Sequence, residues 1–367
     1  MRLLLCGGGT AGHITPAIAI AEELKKSHPD AQILFVGREG GKENEHVIKS
    51  GFKQKTLRVY GLKRSFSLEN LNRVKNAIKA KGEAEKIIKD FGPDVVLGTG
   101  GYVCWPVITA ARKMNIPTAM HESNVSPGLT TKLLSGKCDR ILLNHDETKK
   151  MLRSSVRTVT VGNPIRADFN KISPKAARAR MGITDEEILI VSFGGSIGAE
   201  KINEVILEVI KEHSSKAPGV KHIHATGRAY YERVKKEIGK TSFNGCKILP
   251  YIDDMPSTLL AADIVICRCG AMTLSEISEA GVAAILIPSP NVTNNHQYKN
   301  AKVLSDAGAA VLLEEKELFD GRLENEIESL CDDIEKRRRM EEKIGEFANP
   351  DANKLIYREI LELTKNK

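Results

Sequence analysis

Two short stretches set glycine beside residues able to hold or move charge. Gly7, Gly9 and Gly12 form a G-x-G-x-x-G pattern after the apolar run Leu3–Cys6 and before an amphipathic stretch. Glycines in that place let a backbone approach a diphosphate, and a helix N-terminus behind them favours its charge. Gly194-Gly195-Ser196 repeats the arrangement after Ile188–Phe193 and adds a hydroxyl that can donate to a phosphate oxygen. His13 follows the first turn. An imidazole with an ordinary pKa of ~6.5 suits proton abstraction near neutral pH. These residue types point to a diphosphate ligand with a base beside it.

A glycine fingerprint alone has plainer readings. A dinucleotide enzyme places an acid about 20 residues further on, at the end of the second strand, to hold a ribose. Here that strand ends Phe35-Val36-Gly37-Arg38, and Arg38 suits only the 2′-phosphate of NADP. The same glycines also serve as a tight turn packed on its helix, and His13 as a side chain that braces a loop.

The elements that position these residues form two series. Apolar runs recur at Leu3–Cys6, Ile33–Val36, Val95–Leu97, Thr118–Met120, Ile141–Leu143 and Val159–Val161. A second set follows at Ile188–Phe193, His222–His224, Ile248–Leu249, Ile264–Cys267, Ala283–Ile287 and Ala310–Leu313. Helical patterns lie between them; in Pro16–Lys26, Ile18, Ala21 and Leu24 share a face behind a proline at the first helical position. Strand–helix alternation predicts an α/β protein with parallel sheets covered by helices. The stretch from Gly162 to about Pro174, with two prolines and a glycine, reads as a linker. A boundary near residue 163 gives two domains, 1–163 and 164–344, with one glycine-rich turn in each to clasp a ligand.

Composition narrows the partners. The chain of 367 residues is 41% hydrophobic and 28% charged, with a net charge of +8. The positive charge favours an anionic partner. Aromatics make up only 5%, which argues against a nucleic-acid surface of interleaved stacking residues. No apolar window approaches a bilayer span, and the N-terminal run stops at Gly7, too short for a signal segment; a cytoplasmic protein is expected. Seven cysteines, at 6, 104, 138, 246, 267, 269 and 331, contain no C-x-x-C pair. They read as reduced thiols with no metal role, Cys267 and Cys269 alternating along one strand. Residues 58–89 carry nine Lys or Arg, Lys63 and Arg64 among them, against three acids, beside an apolar stripe of Leu68, Leu71, Val74 and Ile78. That pattern is either a core-facing stripe with a solvated face or a helix that meets an anionic membrane surface.

The motifs as a set resemble those of the MurG-type family, the UDP-N-acetylglucosamine transferases that convert lipid I to lipid II in peptidoglycan synthesis. The resemblance is carried, in order, by Gly8–Pro16, Gly98–Tyr102, His121–Asn124, Gly162–Arg166, Gly194–Ala199, Tyr251–Met255, Ala271–Glu276 and Asn295–Gln297. Together they span essentially the whole chain. Ala11 stands where many members have a second glycine, and His296 where some have glutamine before Gln297.

The resemblance implies two Rossmann-like domains with parallel sheets facing a central cleft (GT-B type), and an inverting transfer without metal or cofactor. It implies an N-terminal half for a polyprenyl-diphosphate-linked acceptor, a C-terminal half for UDP-N-acetylglucosamine, and a final helix (about 345–367) packed back on the N-terminal half. On that premise Ala271, Met272 and Thr273 open a helix whose N-terminus balances the diphosphate, with Leu274 and Ser275 in its first turns. Ser196 and Arg166 add phosphate donors, Glu276 accepts from the ribose hydroxyls, Ile252 borders the uracil and Gln297 holds the sugar. His13 is the expected base and Glu122 its alternate, with Asn124 against donor or acceptor. Thr10, Ala11 and Gly12 bracket the donor sugar or the acceptor diphosphate; Thr99, Gly100, Gly101 and Tyr102 are the other acceptor-diphosphate candidates. The expected place of work is the cytoplasmic face of the cell membrane, with cell-wall assembly proteins as possible partners.

Overall fold

The computed structural model describes residues 1–41, 43–61, 68–153, 155–239, 241 and 243–365. The chain forms two compact units, Met1–Arg166 with Asn349–Lys367, and Ala167–Ala348.

The first unit is built on seven strands: β1 (Arg2–Cys6), β2 (Gln32–Arg38), β3 (Lys53–Leu57), β4 (Val95–Gly98), β5 (Thr118–Glu122), β6 (Arg140–Leu143) and β7 (Thr158–Thr160). All pair in parallel, in the order β3-β2-β1-β4-β5-β6-β7. Helices cover both faces of such a sheet, so its central strands read as unbroken apolar runs. β4, β5 and β6 are buried along their whole length. β3 departs from that pattern: of Lys53-Gln54-Lys55-Thr56-Leu57 only Leu57 is buried, which suits a sheet edge whose charges discourage further pairing.

One face of this sheet carries the helix Ala11–Ser27 and the C-terminal helix Ala352–Lys365. Ile356, Ile360 and Leu363 of the latter share a core with Leu3, Leu5, Leu24 and Phe35. Arg140, 2% exposed, pairs with Glu359 and lies 3.3 Å from Glu362 of the same helix. The helix Ala352–Lys365 is thus part of the first unit's core. The other face is covered by the helices Leu68–Phe91 and Cys104–Lys113, through Ala80, Ala84 and Ile88 of one and Val107, Ile108 and Ala111 of the other.

The second unit repeats the plan with β8 (Ile188–Phe193), β9 (Val220–Ala225), β10 (Cys246–Leu249), β11 (Ile264–Cys267), β12 (Ala283–Leu286) and β13 (Val311–Leu312). These are parallel in the order β10-β9-β8-β11-β12-β13. The helix Glu200–Lys216 buries Ile202, Val205, Ile206, Val209 and Ile210 against it, the one-sided spacing of a surface helix.

Strand order reverses between β1 and β4 in one unit and between β8 and β11 in the other. Ligands of open α/β sheets bind outside the carboxyl ends of the strands at such points. Register sharpens the placement: Cys6 lies opposite Gly98 and Cys267 opposite Phe193, so the two turns leaving each reversal start side by side.

Two expectations about elements change. The first helix begins at Ala11, five residues ahead of Pro16, so His13 lies inside its first turn and Pro16 inside the helix. The proline withholds an N–H from the carbonyl four residues back, an interruption that a helix tolerates best close to its start. Cys269 lies beyond the end of β11, so the two cysteines do not alternate along one strand; both thiols are buried.

Candidate functional site

In the first unit the turns after β1 and β4 are packed into one another. The Gly8 N–H donates to Gly100 O at 3.3 Å. Thr99 Oγ1 donates to His13 O at 2.6 Å and to Cys6 O at 3.3 Å. Gly101 has φ of +85°, and a Cβ there would run into the Gly8 carbonyl; only glycine allows this approach. The His13 ring fills the space beside the turn after β4, where a Cβ on Gly100 would come within 2.9 Å of its Nε2. His13 Nδ1 lies 3.0 Å from Gly8 O and 3.3 Å from Thr10 Oγ1. The carbonyl can only accept, so the geometry assigns the ring hydrogen to Nδ1 and the basic lone pair to Nε2. Thr10 precedes the helix in extended conformation and makes no side-chain cap, which leaves the N–H groups around Ala11 and Gly12 uncapped by it. Tyr102 is 45% exposed, its ring lying over Gly61.

A residue with no mark in the sequence closes this turn. Glu43, 7% exposed, accepts from the Gly9 N–H at 2.6 Å, with Arg38 Nε 3.9 Å away. Arg38 thereby turns its Nε toward Glu43. The acid that the fingerprint lacks at the end of β2 lies five residues beyond it and folds back; only the course of the loop shows this.

Glu122 is placed against the needs of a base. It is 5% exposed, and both oxygens are engaged. Oε1 accepts from the Asn124 N–H and Nδ2, each at 3.1 Å; Oε2 accepts from the Gly128 N–H at 2.9 Å and Thr131 Oγ1 at 2.6 Å. Four donors on a buried carboxylate make it a clamp for the loop 123–128, which presents Asn124. Its neighbour His121 is fully buried, with Nε2 2.9 Å from Gly162 O, and burial lowers its pKa. Arg166 is half-buried at the end of this unit.

In the second unit the turns after β8 and β11 stand at the other reversal. Gly198, with φ of +95°, packs against Thr226 O and Gly227, while Ser196 at the tip is exposed. The helix Ala271–Ala280 starts behind Gly270 with no side-chain cap from it and no acid in its first turn, so its positive dipole end suits an anion. Ala271 and Thr273 are half-buried, Met272 and Leu274 are buried, and Ser275 Oγ donates back to Ala271 O at 3.2 Å. Glu276 is half-buried on the second turn. Arg268 points away from the helix start: it donates to Ile287 O and Pro288 O and pairs with Glu315, tying β11 to the loop after β12. Ile252 is 4% exposed. Gln297 Oε1 accepts from the Ser289 N–H at 2.8 Å, which orients its amide with the NH2 directed elsewhere. Ser289 and Asn295 line a cavity of about 360 Å³ with Lys201, Tyr298 and Glu315. Among the described residues no group of three or more His, Cys, Asp or Glu could hold a metal ion.

Comparison with known proteins bears on the whole chain. Residues 3–143 match the glycosyltransferase family 28 N-terminal domain and residues 189–356 its C-terminal domain. The UDP-N-acetylglucosamine–N-acetylmuramyl-(pentapeptide) pyrophosphoryl-undecaprenol N-acetylglucosamine transferase of Acetivibrio thermocellus is 44% identical, covering 100% of this chain and 99% of its own. The transferase of the same name from Listeria monocytogenes is 37% identical, with 100% of both chains covered. Among solved structures, MurG of Acinetobacter baumannii superposes with a TM-score of 0.77 at 26% identity, over 98% of this chain and 99% of its own. A UDP-GlcNAc 2-epimerase from Neisseria meningitidis, at 15% identity and a TM-score of 0.65 over 99% of this chain and 100% of its own, shares the fold.

Proposed function

We propose, from the premise that this chain belongs to glycosyltransferase family 28, that it moves N-acetylglucosamine from UDP-N-acetylglucosamine to the 4-hydroxyl of the N-acetylmuramyl sugar of an undecaprenyl-diphosphate-linked acceptor. The product is lipid II, for peptidoglycan synthesis. The observation that carries this reading is identity of 44% to a transferase of that name along the entire chain.

The residues divide the work as follows. The second unit holds the donor. The N-terminus of the helix Ala271–Ala280, with Ser196 and Arg166, faces the diphosphate and stabilises the charge that grows on UDP as it leaves. Glu276 accepts from the ribose hydroxyls, the segment at Ile252 borders the uracil, and the Gln297 amide donates to the sugar. The first unit holds the acceptor, with the turns at Thr10–Gly12 and Thr99–Tyr102 against its diphosphate. His13 Nε2 takes the proton of the 4-hydroxyl as that oxygen bonds to the anomeric carbon; the bond from that carbon to the phosphate oxygen breaks, and UDP departs from the opposite face. The anomeric centre is inverted.

The acceptor is a lipid, and no described helix is long and apolar enough to cross a membrane. We read the basic segment from Arg58 to Lys89 as the surface that meets the bilayer. Its helix turns Ala80, Ala84 and Ile88 to the core, while Ile78 is 61% exposed and Arg58, Lys79, Lys86 and Lys89 are exposed. Lys63, Arg64 and the side chains of Leu68, Leu71 and Val74 lie outside the described residues.

The test is release of UDP from UDP-N-acetylglucosamine in EDTA, with and without a short-chain lipid I analogue. Release that needs the acceptor and survives chelation is expected. Release without acceptor would replace the transferase with a hydrolase or epimerase.

A further inference from the structure

One peptide group connects a buried carboxylate to the ring of His13. The Gly9 N–H donates to Glu43 Oε1 at 2.6 Å, and His13 Nδ1 donates to Gly8 O at 3.0 Å. That N–H and that C=O are the two ends of the Gly8–Gly9 peptide, a rigid plane whose resonance couples them. A negative charge at the N–H end draws electron density toward the oxygen, so the carbonyl becomes a stronger acceptor for the imidazole. The arrangement is built tightly: a Cβ on Gly41 would meet Glu43 Oε1 at 2.5 Å and one on Gly8 would meet it at 3.5 Å, so the glycines close around the carboxylate.

We propose that Glu43 is a positioning residue for the base, acting on His13 through the Gly8–Gly9 peptide. It holds the hydrogen on Nδ1, presents the lone pair on Nε2, and stabilises the imidazolium that forms when Nε2 takes the acceptor's proton. No proton passes along the peptide. The charged groups of this chain of contacts are Glu43 and Arg38, 3.9 Å apart. Thr10 and Thr99 are neutral partners, and the Cys6 thiol beneath the turn stays protonated because burial raises its pKa well above the ordinary value. The inference rests on His13 as the base in the proposed transfer.

Glu43→Gln separates charge from shape, because the amide oxygen can still accept from the Gly9 N–H. With UDP-N-acetylglucosamine and a short-chain lipid I analogue, E43Q is expected to lower kcat about tenfold, a fraction of what a general base supplies, with the donor KM unchanged. The acid limb of kcat/KM is expected to move to lower pH, since losing the anion makes His13 a weaker base. Arg38→Ala keeps the carboxylate and removes its counter-charge, so it is expected to move the limb the other way. Adding E43Q to His13→Ala is expected to cause no further loss. E43Q with wild-type kcat and an unmoved acid limb would overturn the proposal and leave Glu43 as packing for the turn. H13A as active as wild type would overturn it together with the base assignment, and a wild-type enzyme that releases no UDP with the acceptor would sink the transferase reading itself.

Discussion

His13 and Glu276 answer opposite demands. The imidazole must give up its lone pair at Nε2, so its other nitrogen is anchored to a carbonyl that cannot donate. The carboxylate has to remain half in solvent to accept from a diol, and Glu276 is half-buried on the second turn of its helix. Glu276→Ala is expected to raise the donor KM about tenfold or more, the loss of two charge-assisted hydrogen bonds, with kcat far less affected; steady-state kinetics in donor concentration at saturating acceptor checks this. Residue type and place marked His13 behind the first glycine turn, while Glu276 and Gln297 were singled out by what the family resemblance implies. The same reasoning set Glu122 beside His13 as a base. Only the four donors around its oxygens reassign it as the clamp of its loop.

At the scale of elements, the turns after β1 and β4 act as one piece. Gly101→Ala places a methyl group against the Gly8 carbonyl and forces a φ of +85° on an L-residue. Strain of that kind costs about 1–3 kcal/mol before any backbone shift is counted. The expected result is a lower urea midpoint and a larger loss of transfer than of stability, because Gly8 O is also the anchor of His13. The second unit has a comparable weak point in its interior. Ser192 Oγ lies 2.8 Å from His224 Nδ1, and His213 Nδ1 lies 3.0 Å from His222 Nε2. Burial lowers His224 to about 4 and His222 to about 3. Both fold as neutral rings, so below the unfolded value near 6.5 the unfolded chain binds protons that the folded chain refuses. Stability is full above pH 6.5 and falls toward pH 4, by about 2 kcal/mol for each ring at pH 5. Urea titrations at pH 7.5 and pH 5 should show the midpoint drop, and His224→Asn or His222→Gln should flatten it.

At the scale of the whole molecule, the proposed transfer requires the chain to reach a lipid, and no described helix is long and apolar enough to cross a membrane. Binding to vesicles that contain anionic lipid is expected to weaken as salt rises, since each exposed cation near such a surface contributes roughly 1 kcal/mol. Ile78→Asp with Lys79→Glu should release the protein from sedimenting vesicles and leave its melting temperature near wild type, because Ile78 is 61% exposed and does not share the core stripe of Ala80, Ala84 and Ile88. Retention on vesicles by that variant would move the docking surface elsewhere.

The amino-acid order by itself determined the architecture. Unbroken apolar runs such as Leu3–Cys6 and Ile264–Cys267 belong to parallel strands buried on both faces, and the helical stretches between them allow only crossover connections. Local pattern also located the two glycine turns, since a strand that runs into glycine and then a helix is a short-range signal. It failed where long-range contact sets the outcome. β3 is polar because its edge position, not its own periodicity, makes it a strand. His13 entered the first helix, ahead of Pro16, through the packing of its turn against Thr99 and Gly100. Glu43 lies 34 residues from the N–H it holds. Periodicity reports which face of an element is buried, while a hydrogen bond across the chain depends on where two loops meet, and only the assembled sheet brings those loops together.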